Sequence, residues 1–172
     1  MSNLKLQKIV DICKKSGQMY ITHAEDTQWV GNGQAVYPLY DLPKLQAEEL
    51  CTIYGITEDQ QDKMILNEKS ASEYDVSFAA LDGTEEAVTV VPMEITFGGA
   101  SYKMLECKDG ISFVRRLYFT PFKEETQIWR KKNKCGEYFV VTAGMFVVGV
   151  IFPEVGLRAD ISAEIKEVAK NL

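Results

Sequence analysis

A single histidine, His23, limits the chemistry this chain can build from its side chains. A multi-histidine metal centre is ruled out, and a Ser-His-Asp or Cys-His triad would have to be assembled around that one residue. His23 lies in an extended stretch just before Glu25 and Asp26, which reads as a structural or surface histidine rather than a base. The acids Glu48, Glu49, Glu58, Asp59 and Asp62 could perform acid-base or magnesium chemistry if they converged in a cleft. Their alternation with other polar residues near expected helix starts instead fits a solvated face, where the helix dipole favours negative charge. Gly31-Asn32-Gly33 has the outline of a phosphate loop, but Val36 stands where the third glycine of G-x-G-x-x-G belongs and no helix start follows, so a hairpin turn is expected. The sequence holds no G-x-x-x-x-G-K-[ST], H-E-x-x-H or G-x-S-x-G. No catalytic, cofactor-binding or metal-binding residue is assigned.

The basic residues are more informative. Arg115, Arg116, Lys123, Arg130, Lys131, Lys132 and Lys134 interleave with Tyr118, Phe119, Phe122 and Trp129. Cations neutralise phosphates, and aromatic faces stack on bases or cover apolar surface. Arg115, Arg116, Arg130, Lys131, Lys132 and Lys134 are the candidate phosphate contacts. The alternative is a solvated hairpin tip over residues 130–134 with the aromatics in the core. Net charge is −6, which argues against general nucleic-acid binding, but the distribution is uneven. Residues 41–86 carry 12 acids and 3 bases, whereas residues 115–134 carry 7 bases and 2 acids. The chain is electrically polarised.

The elements that must position these groups follow from periodicity and turn signals. Leu6, Ile9, Val10 and Cys13 share one helical face, and Gly17 is placed to end that helix after Lys14 and Lys15. Residues 19–23, 27–30 and 35–39 are rich in β-branched and aromatic residues and read as strands. Pro43 opens a short helix or turn through Leu50, and Thr57 with Gln60 forms a capping-box signature for another through about Leu66. Residues 74–81, 87–97 and 100–107 read as strands, with Asp82-Gly83 and Gly98-Gly99 as turns. After Asp109-Gly110, residues 111–119 are extended or helical, and residues 126–130 and 138–152 are strands broken near Gly144. A closing helix capped by Asp160 or Ser162 would bury Ile161, Ile165, Val168 and Leu172.

The expected fold is therefore α+β: a mainly antiparallel sheet with an N-terminal helix, one or two short middle helices and a C-terminal helix. With 172 residues, 46% of them hydrophobic, a single domain spanning residues 1–172 can bury its own core. Cys13, Cys51, Cys107 and Cys135 are far apart and form no C-x-x-C pair, so reduced thiols are expected rather than a disulfide framework. The first residues run into an amphipathic pattern without an apolar leader core. The longest apolar run, residues 145–152, is far shorter than the roughly 20 residues of a spanning helix. A cytoplasmic protein without membrane contact is expected. Tyr37-Pro38 and Phe152-Pro153 each close a strand-turn-strand pattern, which gives the two ends of the chain a faint internal symmetry.

Ile111-Ser112-Phe113-Val114-Arg115-Arg116-Leu117-Tyr118-Phe119-Thr120-Pro121-Phe122, the strand at 126–129, Tyr138-Phe139-Val140-Val141 and Phe146-Val147-Val148-Gly149-Val150-Ile151-Phe152-Pro153 together resemble the final part of a DNA sliding-clamp domain. In that family the closing sequence is aliphatic-Met-Pro, and here Phe152 replaces the methionine. The resemblance covers about 45 residues. It implies a clamp-like fold with an internal pseudo-repeat, duplex DNA or a replication protein as partner, and homo-oligomerisation, since a lone domain cannot close a ring. The function so implied is that of a non-catalytic accessory protein of DNA replication or recombination in a phage or other mobile element. Two other classes compete: a small enzyme with a carboxylate, Lys and Tyr cleft, and a protein-interaction module docking through exposed aromatics.

Overall fold

The computed structural model describes residues 4–40, 42–123, 125–134, 136–155, 168, 170 and 171. Helix α1 (Leu6–Ser16) buries Ile9, Val10, Ile12 and Cys13 and exposes Lys8 and Lys15. Gly17 ends it in the left-handed region at φ 69°, its N–H donating to the carbonyls of Cys13 and Lys14, while Lys14 and Lys15 complement the negative end of the helix dipole. Strands β1 (Gln18–Ala24) and β2 (Thr27–Gly31) meet at Glu25 and Asp26, both at positive φ, a turn whose twist matches that of the flanking strands. Asn32 then turns the chain into β3 (Ala35–Pro38), its side-chain oxygen accepting from the N–H groups of Gln34 and Ala35 at 2.9 and 3.0 Å.

Helix α2 (Ala47–Ile53) follows, and the Thr57–Gln60 capping box starts α3 (Glu58–Asp62) as its sequence indicates. That helix stops at Asp62 rather than reaching Leu66. The residues beyond it form β4 (Ile65–Glu68), a parallel edge strand beside β1, so pairing with a distant strand overrides local helix preference. Residues 74–81, expected as a strand, are instead a 3-10 turn at Ala71–Tyr74 followed by irregular chain. Their alternating apolar side chains cover the sheet from above: Phe78 packs 4.9 Å from Trp29 and 5.7 Å from Tyr74.

The second half contributes β5 (Glu86–Phe97), β6 (Ala100–Cys107), β7 (Gly110–Arg115), β8 (Gln127–Asn133), β9 (Gly136–Ala143) and β10 (Phe146–Ile151). Residues 111–119 resolve into both alternatives, the strand β7 and then a 3-10 turn at Arg116–Phe119. The result is the expected α+β architecture, a mostly antiparallel sheet with an N-terminal helix and two short middle helices among the described residues. Of the expected closing helix, Val168 and Lys170 are helical, while Asp160, Ile161, Ser162, Ile165 and Leu172 lie outside the described residues.

The ten strands form one sheet in the order β4-β1-β2-β3-β10-β9-β8-β5-β6-β7. The meanders β1-β2-β3 and β8-β9-β10 are joined at an antiparallel β3–β10 pair, Val36 opposite Val150 and Ala35 opposite Ile151. The connectivity is thus repeated about that junction, with α1 ahead of one meander and the Arg116–Phe119 turn ahead of the other. On one face α1 and α2 cover a core containing Ile9, Ile21, Tyr37, Leu50, Phe139 and Val148. On the other, Tyr74 and Phe78 close over Trp29, Val36, Tyr138 and Val150. Strand β5 pairs with β8 only over its first three residues and then with β6, and the sheet curls. The curl brings β7 back to the chain after β10, where the Glu154 N–H donates to the Phe113 carbonyl at 2.8 Å.

Cys13, Cys51 and Cys107 are buried and unbridged. Burial pushes the Cys13 thiol up to about 12 and Cys107 up to about 11. Cys135 lies outside the described residues. A Cys135→Ser variant is therefore expected to react negligibly with a disulfide reagent at pH 8 until unfolded, when three thiols should titrate. Fast labelling of the folded variant would contradict this burial.

Candidate nucleic-acid interface

The six cations expected to contact phosphate fall into three environments. Arg130, on β8, is only 5% exposed and is enclosed by carboxylates. Its Nε donates to Glu137 Oε2 at 2.5 Å, and its terminal nitrogens reach both Asp109 oxygens at 2.7 and 3.1 Å and Glu86 Oε2 at 3.2 Å. The Ser112 hydroxyl donates to the other oxygen of Glu137, so the cluster ties β7 to β9 through the interior of the curl. Burial works against the guanidinium charge, but the bonds to Asp109 and Glu86 and the charge of Glu137 outweigh it and hold its pKa above the usual arginine value. Lys131 is held nearby by Asp82 at 3.4 Å and Glu85 at 3.7 Å. Both side chains are engaged within the fold.

Lys132 and Lys134 are exposed on the β8–β9 hairpin, where the Lys134 N–H donates to Asp75. Arg115 and Arg116 are exposed at the far end of β7 and the start of the 3-10 turn. There they meet a residue that sequence reasoning did not assign: Lys15, from the last turn of α1, borders the same hollow of about 360 Å3. The two segments are pinned together by a bridge between Leu4 and Phe122 and by the Lys5 N–H donating to the Pro121 carbonyl at 2.6 Å. Arg116 also lies 3.6 Å from Glu94, which Lys103 shares at 3.3 Å.

No family model, curated protein or solved structure matches the chain.

Lys5, just ahead of α1, and Lys8 and Lys15 on it are all exposed, so the helix-bearing face continues the basic surface of Arg115 and Arg116. Lys8 and Lys15 are seven residues apart, two helical turns, a spacing that places them on one face and was readable beforehand. The acids Glu48, Glu49, Glu58 and Asp59 occupy the first turns of α2 and α3, with Glu49 accepting the Gln46 N–H at 2.8 Å as part of a cap. His23 is exposed on β1. Among the described residues no three His, Cys, Asp or Glu side chains are grouped to hold a metal, and no helix is long and apolar enough to cross a membrane.

Proposed function

We propose that this chain is a non-catalytic accessory protein that binds duplex DNA through its helix-bearing face, with a clamp-like build, and that it acts as a homo-oligomer. The observation that carries the reading is the convergence of Lys15, Arg115 and Arg116 from two distant segments around one exposed hollow. Exposed cations gathered around one hollow suit backbone phosphates, whose neutralisation favours binding by releasing counterions without reading sequence. The doubled meander about the β3–β10 junction supports the clamp-like build, and a chain of net charge −6 needs such a local concentration of cations to approach DNA.

Fluorescence anisotropy with a labelled duplex at low salt tests this. The Lys15→Ala/Arg115→Ala/Arg116→Ala triple variant is expected to lose at least about tenfold in affinity, since each phosphate contact adds to a shared electrostatic sum. Lys132→Ala/Lys134→Ala should lose less, because those residues sit on a separate hairpin. Absence of duplex binding, together with a strictly monomeric species in sedimentation, would overturn the proposal.

A further inference from the structure

On the sheet face opposite α1, five chain segments enclose a cleft of about 300 Å3. One wall is aromatic: Tyr74 and Phe152 stack with centroids 6.2 Å apart and planes 14° from parallel. Glu73, Asp75, Glu137 and Glu154 line it against one cation, Lys69. We infer that this cleft binds a small organic cation, an ammonium or guanidinium group carried on an apolar body.

Three independent features agree on that chemistry. The lining carries four carboxylates to one ammonium, and one of them, Glu137, already shares Arg130 with two further acids, so the field in the cleft favours positive charge. The side-chain oxygen of Asn133 is shut off from solvent with no hydrogen-bond partner among the described residues, and an orphaned acceptor calls for a donor. The Tyr74 wall already hosts an ammonium: Lys69 Nζ stands 4.3 Å from the Tyr74 centroid and 5.4 Å from that of Tyr20, with no carboxylate in ion-pair range among the described residues. Lys69 therefore occupies, from within, the face that a ligand cation would use. The apolar part of the ligand would lie against Phe152, in a volume at the lower end of ordinary small-molecule sites.

Titration of 15N-labelled protein tests the inference with three probes: benzamidinium, N-acetylarginine methylamide and benzoate. Benzamidinium at millimolar concentration is expected to move the resonances of Gly33, Gly136 and the Asn133 side-chain amide. Asp75→Asn and Glu154→Gln should each weaken it about fivefold. Lys69→Met should tighten it, because the competing internal ammonium is gone. Equal binding of the blocked arginine would place the ligand on a basic side chain of a partner, and its failure would leave a free small molecule. Benzoate binding as well as benzamidinium, weaker cation binding in Lys69→Met, or no shift at those three residues would each overturn the inference. Duplex binding should be unchanged in Asp75→Asn and Lys69→Met, whose side chains do not border the basic hollow.

Discussion

Arg130→Met is expected to destabilise the protein by about 3–5 kcal/mol, the cost of leaving a buried carboxylate without its partner. Glu137 is 8% exposed and points into the curl, where the Ser112 hydroxyl alone would remain to it. Urea unfolding of the single variant and of Arg130→Met/Glu137→Met separates two effects. The double variant should recover most of the loss, because well-packed apolar residues replace a buried ion pair at little net cost. Recovery of nothing would mean that Arg130 acts through Asp109 and Glu86 rather than Glu137. The same cluster sets an acid response. Hydrogen bonds from Arg130, and then its charge, hold the Asp109 carboxyl below the usual range. A depressed folded-state pKa contributes stability above the unfolded value, and that contribution is lost as pH falls through the folded one. Asp109→Asn should flatten the acid limb of the stability profile.

Gly31→Ala is the second large expected effect, and its cause is close approach rather than backbone angle. Gly31 pairs with Val36 across β2 and β3, and a β-carbon there would fall well inside the Ala35 carbonyl oxygen and crowd the Val36 Cα. Backbone cannot yield as a side chain can, so a loss of roughly 3 kcal/mol is expected, the upper end for overpacking. Gly149→Ala supplies the comparison: its β-carbon would meet the tip of the Phe122 ring at 3.0 Å, and a ring can shift. That variant should lose about 1 kcal/mol or less. Equal losses in thermal or urea unfolding would show that the β2–β3 turn is more pliant than its geometry states.

Local signals were legible where local physics decides the outcome. The stripe of Ile9, Val10 and Cys13, the stop at Gly17 and the Thr57–Gln60 box each act within a few residues, and each appears as read. Strand β4 was not legible because its partner, β1, is more than 40 residues away and its own pattern is mostly exposed. Tyr74, Val76 and Phe78 alternate like a strand, yet they cover a sheet face instead of joining it. The basic run shows the same limit more sharply. Arg130 to Lys134 are neighbours in sequence, but the acids that enclose Arg130 and Lys131 come from β5, β9, the β6–β7 turn and the chain ahead of β5. Charge spacing along the chain could not reveal that two of the six cations are neutralised within the fold, nor that Lys15 joins Arg115 and Arg116.

The most direct test of duplex binding through the helix-bearing face is an equilibrium titration of a labelled duplex across a salt series. Three phosphate contacts from Lys15, Arg115 and Arg116 contribute about −2.7 to the slope of log K against log salt, so the triple alanine variant should show a slope shallower by about that amount. A wild-type protein that fails to bind at low salt, or whose affinity and slope are unchanged by removing those three side chains, would contradict the account.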